Sequence, residues 1–125
     1  RGKTIAAGGE WVNGYVKGKI SSLGNYFIAI DTLAPEIIPI NIKSGSTMTG
    51  SLGIKAKVKD EFSGIKKIDG YIDGNWVVFD YDQKNDLIFY QFDNERLAKN
   101  KNHQLLIVVT DNKNNQNRFE CVFFW

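Results

Sequence analysis

The sequence predicts an all-β fold, an antiparallel β-sandwich of seven to nine strands. Three observations lead to it: short runs of β-type residues recur along the chain, turn-forming residues separate them, and helical periodicity is almost absent. Strands spaced in this way favour a sandwich over a sheet built from β-α-β units. With 125 residues, 42% of them hydrophobic, the chain is long enough for one domain with a packed core.

The stretch from Asp60 to Tyr90 organises this prediction. It contains three short β-type runs joined by two turn signals. Asp73-Gly74 stands between β-branched and aromatic residues, which is the pattern of a tight hairpin, because glycine accepts the positive φ that such a turn requires. The second turn, residues 82–86, is polar and has apolar runs on both sides. The stretch therefore predicts a meander with an aromatic face on which the rest of the chain closes.

Further strands are predicted on either side of the meander, at residues 25–31, 36–42, 53–59, 104–111 and 118–125. The first of these has apolar residues on both faces, so we expect it to be covered on both sides. Pro39 demotes the second to an edge or bulged strand. The third alternates most cleanly, with three lysines on one face. One or two helical turns are predicted over residues 93–100, capped by Asp93.

Pro35 marks the expected domain boundary, because it disfavours helix before it and cannot donate to a sheet ladder. We expect a β-sandwich over residues 35–125. Residues 1–34 are expected to form an N-terminal β segment that is either the tail of a preceding domain or a part of the same sandwich. The chain opens without Met, so we expect a fragment of a longer protein or a processed one.

Charge and composition argue against several classes of function. Sixteen basic and fourteen acidic residues leave a net charge of +2, too balanced for a nucleic-acid surface. No run approaches the roughly 20 apolar residues of a membrane helix. The single cysteine cannot form an internal disulfide, and small secreted domains can do without one, so cysteine usage does not fix the compartment.

His103 and Cys121 are the residues on which metal or nucleophilic catalysis would depend. Zinc hydrolysis needs several His, Cys or carboxylate ligands around an open position, and the chain has one histidine and one cysteine. We predict that His103 is a surface residue at the start of a strand. Cys121 lies between Phe119 and Phe123 and is predicted to be a small core residue. The sequence therefore predicts no catalytic residue, cofactor or catalytic metal in this chain.

Two groups of carboxylates leave a calcium site open: Asp80, Asp82 and Asp86, and Asp69 with Asp73. An EF-hand is excluded, because Lys84, Asn85 and Gln91 stand where its loop needs a ligand, a glycine and a glutamate. A calcium site of another kind, which stabilises a loop, is one interpretation. The other is turn chemistry, since Asp and Asn bond their own backbone in turns.

Trp11, Trp76 and Tyr90 are the candidate ligand-contact residues, because aromatic rings at a surface can stack on sugars. The competing interpretation places such rings in the core of a sandwich of this length. Residues 55–59 carry the three lysines on one face. That row would either meet an anionic polymer or form a solvated strand face that discourages edge pairing.

The order of several phrases resembles bacterial immunoglobulin-like modules of extracytoplasmic proteins. These phrases are residues 60–65, 71–76, 81–82, 103–105 and 109–115. With residues 14–20, 23–26, 30–35 and 123–125 added, the chain resembles the C-terminal region of lysostaphin-type zinc endopeptidases from Gram-negative anaerobes. The resemblance implies an immunoglobulin-like or fibronectin-like antiparallel β-sandwich.

In that family a catalytic domain that cuts peptidoglycan cross-links precedes β-rich accessory domains. The resemblance implies a non-catalytic accessory domain in the periplasm or at the cell surface. Its partner would be the catalytic domain of the same polypeptide, a cell-wall glycan or an envelope protein. The family's His/Asp pair and His-x-His segment have no counterpart here, so no metal ligand is carried over. The alternative is a carbohydrate-binding or adhesive module that uses exposed aromatic residues.

Overall fold

The computed structural model describes residues 8–21 and 23–125, and eleven strands are present in them. In chain order they are β1 (Glu10–Val12), β2 (Tyr15–Lys17), β3 (Glu36–Pro39), β4 (Ser46–Thr47), β5 (Gly53–Lys59), β6 (Ile65–Ile72), β7 (Asn75–Val77), β8 (Asp80–Asp82), β9 (Leu87–Gln91), β10 (Asn102–Asp111) and β11 (Gln116–Phe124). Residues 1–7 and 22, part of the predicted N-terminal segment, lie outside the described residues.

Nine of the eleven strands form two sheets. One has the order β4-β11-β10-β6-β7 and the other the order β3-β5-β9-β8. Within the described residues every strand pair is antiparallel except β4 with β11. Buried residues of both sheets belong to one hydrophobic cluster. The predicted all-β sandwich is therefore confirmed, and the strand number of its two sheets agrees with the prediction.

The two-residue period of the strands explains which side chains form the core. In β5, Ile54, Ala56 and Val58 are fully buried, while the lysines between them point to solvent. In β10, the central strand of its sheet, Leu105 and Ile107 are buried on the same face. Because successive side chains point to opposite faces, each strand contributes every second residue to the space between the sheets.

The predicted turns are present. Asp73 and Gly74 both have positive φ, 52° and 79°, and join β6 to β7 through a two-residue loop in which Ile72 faces Asn75. Positive φ at both central positions is the type I′ geometry that matches the twist of a hairpin. The polar turn at residues 83–86 joins β8 to β9.

The predicted single meander is wrong, because the chain changes sheet after β7. The β6–β7 hairpin belongs to the five-stranded sheet and the β8–β9 hairpin to the other. Only Val78 and Phe79 connect them. The Phe79 ring lies so close to Gly70 that a side-chain carbon there would overlap it, and its centroid is 5.7 Å from that of Tyr90. Burial of this ring accompanies the crossover between the layers.

The strand predicted at residues 25–31 is also wrong. These residues have no regular structure, and Ile30 is 84% exposed. A strand needs a partner for its backbone groups, and none of the described strands pairs with this segment. Residues 36–39 do form the predicted edge strand, which pairs with β5 on one side only.

The helical turns predicted over residues 93–100 reduce to a single turn. The Leu97 N–H donates to the Asp93 carbonyl at 2.9 Å, and the Glu95 N–H donates to the Asp93 carboxylate at 2.9 Å. Asp93 therefore caps the turn as predicted, but no helix follows it. Leu97 is buried in the core and anchors the loop.

The N-terminal hairpin of β1 and β2 pairs only with itself among the described strands. Residues 18–21 and 23–34 contain no strand. The division between residues 1–34 and 35–125 stays a prediction. In the described part of the chain no helix is long and apolar enough to cross a bilayer.

Candidate functional site

A shallow cleft of about 450 Å³ lies where the β6–β7 hairpin, the start of β8 and the loop after β9 meet. Its wall includes Trp76, Val78, three carboxylates and one guanidinium. The charged groups are those of Asp73, Asp80, Asp93 and Arg96. We call this feature the Trp76 cleft. It combines an aromatic ring with negatively and positively charged groups that can form hydrogen bonds.

Trp76 is 59% exposed at the edge of its sheet. The type I′ turn at Asp73-Gly74 places it directly opposite Tyr71 on β6. Tyr71 alternates with the buried residues Gly70 and Ile72, so Trp76 lies on the sheet face away from the core and its ring is not fully covered by the described residues. Trp76 is thus available for contact with a ligand.

Tyr90 lies beside the same cleft but is only 7% exposed. Its ring packs among Phe79 and Phe92, with centroids 5.7 and 5.9 Å away. Burial raises the pKa of the Tyr90 hydroxyl, and the nearby Asp93 charge adds to this. An exposed stacking ring is therefore the wrong description of Tyr90, because its face is occupied by the core.

Trp11 is 72% exposed but belongs to the separate N-terminal hairpin, on which it faces Val16. It does not line the Trp76 cleft. The structure therefore does not combine the three aromatic candidates into one surface. Contact of Trp11 or Trp76 with a ligand stays a prediction.

The prediction that His103 is a surface residue is wrong. The His103 side chain is buried, with 1% of its surface exposed to solvent. Its Nδ1 lies 2.6 Å from Asp73 Oδ2 and its Nε2 lies 2.7 Å from the Ala98 carbonyl oxygen. Both oxygens accept hydrogen bonds, so an N–H on either ring nitrogen has a partner. Strand period was the available signal, because His103 shares its face of β10 with the buried residues Leu105 and Ile107.

Asp73 links the hairpin turn to the start of β10. Its Oδ1 accepts the Gln104 N–H at 2.9 Å, and its own N–H donates to the Gln104 carbonyl at 2.9 Å. Burial acts to raise the pKa of Asp73, but hydrogen bonds from His103 and Gln104, with the charges of His103 and Lys101, lower it below its ordinary value. The carboxylate therefore stays ionised in the wall of the Trp76 cleft.

Cys121 is buried in the core, as predicted. Burial raises the pKa of its thiol to about 11. At neutral pH the group is a protonated thiol, which is a poor nucleophile. Its role in this structure is packing.

Two of the carboxylates that left a calcium site open, those of Asp82 and Asp69, are engaged locally. Asp82 accepts the N–H groups of Lys84 and Asn85 at 3.1 and 3.3 Å and the Asn85 side-chain amide at 2.6 Å. The Asn85 amide is also the main reason why the pKa of Asp82 is lowered. Asp69 pairs with Lys67 at 2.9 Å. For Asp82, turn chemistry is the interpretation that the geometry favours.

The lysine row of β5 is a solvated sheet face. Its strand is flanked by β3 and β9 and is therefore not a sheet edge. The interpretation that these lysines discourage edge pairing is wrong. Lys55 Nζ lies 5.7 Å from the centre of the Phe89 ring, a distance at which the ammonium group is attracted to the aromatic face.

The comparisons with known proteins support the fold. No protein-family model and no curated protein matches the chain. The fibronectin(III)-like modules of Clostridium thermocellum CbhA are similar over 73% of this chain and 46% of theirs, with 18% identity and a TM-score of 0.52. The endo-β-1,4-mannanase of Thermotoga petrophila is similar over 74% of this chain and 20% of its own, with 12% identity and a TM-score of 0.55.

The chain thus spans less than half the length of each of these structures. Identities this low show a shared fold and nothing more specific. The two sheets described above are accordingly a fibronectin(III)-like β-sandwich.

Proposed function

We propose that this chain is a non-catalytic accessory module of an extracytoplasmic protein, and that it positions an adjoining domain of the same polypeptide. The observation that carries the proposal is the apolar surface of residues 11–33. Large hydrophobic side chains on it are exposed to solvent: Trp11, Tyr15, Ile20, Leu23, Phe27, Ile28, Ile30 and Leu33. We call this the N-terminal apolar segment.

The sandwich does not need this segment for its own core. Every buried hydrophobic residue of the core cluster comes from residue 42 or later in the described chain. Many large apolar side chains exposed in one segment mark an interaction site, because exposing them to water is unfavourable. We infer that another domain or another molecule covers them.

Fold and resemblance support the same proposal. A fibronectin(III)-like module and part of a much longer mannanase share the sandwich, so this fold occurs as one unit within larger chains. The phrases that resemble lysostaphin-type peptidases point to a cell-envelope peptidase as the adjoining domain. That domain would act on peptidoglycan, and this module would hold it against the wall or pack beside it.

Footprinting of the N-terminal apolar segment tests the proposal. Hydrogen exchange or carbene labelling is measured in the 125-residue chain alone and in the intact polypeptide of the cell. We expect Phe27, Ile28 and Ile30 to be labelled rapidly in the chain alone and to be protected in the intact polypeptide. Equal labelling in both would contradict docking of this segment.

Substitution and activity assays complete the test. The pair Phe27→Ser and Ile30→Ser should release the segment from its partner domain, whereas Val78→Ser, at an exposed apolar residue of the sandwich, should not. The isolated chain should cleave no peptidoglycan. Turnover that survives purification would refute a non-catalytic role.

A second candidate function is carbohydrate binding or adhesion at the Trp76 cleft. The specific observation is an exposed indole beside the carboxylates of Asp80 and Asp93 and the Arg96 guanidinium, which can hydrogen-bond sugar hydroxyls while the ring stacks on a sugar face. Pull-down with cell-wall fragments or β-mannan tests it. Trp76→Ala should weaken binding about tenfold, which is about 1.4 kcal/mol, and Trp11→Ala should leave it unchanged. Equal binding by all three proteins would exclude the Trp76 cleft as the site.

A further inference from the structure

Three aspartates that are distant in sequence meet near one end of β10. Asp31 precedes the sandwich, Asp60 follows β5, and Asp111 is the last residue of β10. One carboxylate oxygen from each lies within 4.8 Å of the other two. None of the three lines the Trp76 cleft. Each belongs to one of the phrases that carry the family resemblance. None of them is among the aspartates discussed above as a possible calcium site.

The surrounding loops fix the orientation of these carboxylates. Asp60 Oδ1 accepts three successive backbone N–H groups, those of residues 62–64, at 2.8 to 3.1 Å. Asp111 is fully buried, and its Oδ1 accepts the N–H groups of Lys113 and Asn115 at 2.8 and 2.9 Å. Asp31 Oδ1 accepts the Leu33 N–H at 3.1 Å. These bonds place the carboxylates but do not neutralise their charge.

The cluster contains a polar atom that its own loops leave unsatisfied. Asp31 Oδ2 is buried from solvent and has no hydrogen-bond partner among the described residues. Burying a carboxylate oxygen without a partner is expensive. An unpartnered carboxylate oxygen on a member of a three-carboxylate cluster indicates that a ligand of positive charge completes the site.

The described residues supply no such charge themselves. Their ion pairs involve Asp69, Asp73, Asp93 and Glu120 but none of the three clustered aspartates.

The donor set selects the kind of cation. Oxygen ligands alone suit calcium or magnesium, whereas zinc sites are usually built with His or Cys. Calcium binds oxygen at about 2.3–2.6 Å, so oxygens on opposite sides of it are about 5 Å apart. The three carboxylate oxygens lie no more than 4.8 Å from one another, so one calcium ion can contact all three. Magnesium binds at about 2.1 Å and demands a smaller octahedral cage.

We infer that Asp31, Asp60 and Asp111 bind one calcium ion, with water or backbone carbonyls as the other ligands. This inference does not rest on the proposed accessory function. The ion would join the segment before the sandwich to two of its loops. Two amides already hold that segment: Asn115 Nδ2 donates to the Asp31 carbonyl at 3.1 Å and Asn117 Nδ2 to the Pro35 carbonyl at 2.9 Å. Calcium would stiffen the same connection and with it the direction in which residues before Asp31 leave the sandwich.

Calcium titration of the EDTA-treated 125-residue chain tests the inference. Calorimetry should give a dissociation constant of about 10⁻⁴–10⁻³ M, the range of extracellular calcium modules. In 5 mM CaCl₂ the melting temperature should rise by about 5–10 °C across that range of affinity. An equal concentration of MgCl₂ should give a clearly smaller rise. Equal responses to the two ions would overturn the assignment to calcium.

The Asp31→Asn variant distinguishes a carboxylate that binds an ion from one that only stabilises its loop. Asparagine keeps the Oδ1 acceptor, so in EDTA the variant should be at least as stable as the wild type, because it removes one charge from an uncompensated group. In calcium it should lose at least tenfold in affinity and most of the thermal shift. Asp80→Asn, at an exposed aspartate outside the cluster, is the matched control and should respond like the wild type. An unchanged calcium response in Asp31→Asn, or no response in the wild type, would overturn the site.

Discussion

Replacing His103 with alanine should destabilise the sandwich by about 4 kcal/mol, which is a large part of the 5–15 kcal/mol typical of a domain. The magnitude follows from three contributions. Removing a fully buried ring costs about 1.5–2 kcal/mol in apolar contact. Loss of the charge-assisted hydrogen bond to Asp73, 2.6 Å long, costs about 1.5–3 kcal/mol. Loss of the bond to the Ala98 carbonyl, 2.7 Å long, costs about 1 kcal/mol.

The total lies toward the lower end of that sum because Asp73 can regain water. Its side chain is 38% exposed, so losing His103 does not leave a fully buried charge. Urea denaturation at neutral pH measures the effect. With a slope of about 1.5 kcal/mol per molar, the midpoint should fall by about 2–3 M.

A double-mutant cycle identifies which bond is responsible. His103→Gln can keep the Ala98 contact and loses the one to Asp73, whereas Asp73→Asn keeps the hairpin turn and removes the charge. The two changes together should cost less than the sum of the single changes, with a coupling of about 1–2 kcal/mol. A loss below 1 kcal/mol for His103→Ala, or strict additivity in the cycle, would refute the assignment of a stabilising His–Asp pair.

Three further predictions concern acid stability, a strand glycine and the thiol. Because the folded pKa of Asp73 is lowered, its contribution to stability is present above about pH 4 and is lost as the pH falls through the folded pKa. Asp73→Asn should remove that part of the acid dependence in urea titrations at pH 2–5, and an unchanged profile would contradict it. Gly53→Ala should cost more than 3 kcal/mol, because its Cβ would overlap the Tyr90 carbonyl oxygen. Gly24→Ala, which meets nothing within 4 Å, should be close to neutral, and similar melting temperatures for both would refute the clash. With its pKa raised to about 11, Cys121 should resist thiol reagents at pH 8 until guanidinium unfolds the chain, and rapid native labelling would disprove its burial.

Features that depend on local period were predictable from the sequence. Alternation in residues 53–59 gave the strand and its buried face, and Asp73-Gly74 gave the hairpin, because the required φ is a property of those two residues. The same rule was sufficient to place His103 in the core. Residue type pointed the other way, because histidine at a strand end is more often exposed than buried.

Strand pairing and the burial of aromatic rings depend on which residues lie opposite in the fold. The local sequence pattern was not sufficient to predict them. Residues 25–31 have strand composition, but a strand forms only where another strand offers its backbone groups, and none does among the described residues. Tyr90 and Trp76 are both aromatic strand residues. Tyr90 is core because it pairs with buried Ile54 on the inner face of its sheet. Trp76 is exposed because it pairs with Tyr71, which alternates with the buried residues of β6.

The sequence by itself determined the fold class, most strand positions and the chemistry of the turns. These follow from the two-residue period and from backbone preferences, which act over a few residues. Only the tertiary structure decided that Asp73 meets His103 and that Asp31, Asp60 and Asp111 share one site. Those partners are separated by 29 to 80 residues of chain, and the order in which the strands pair is what brings them together.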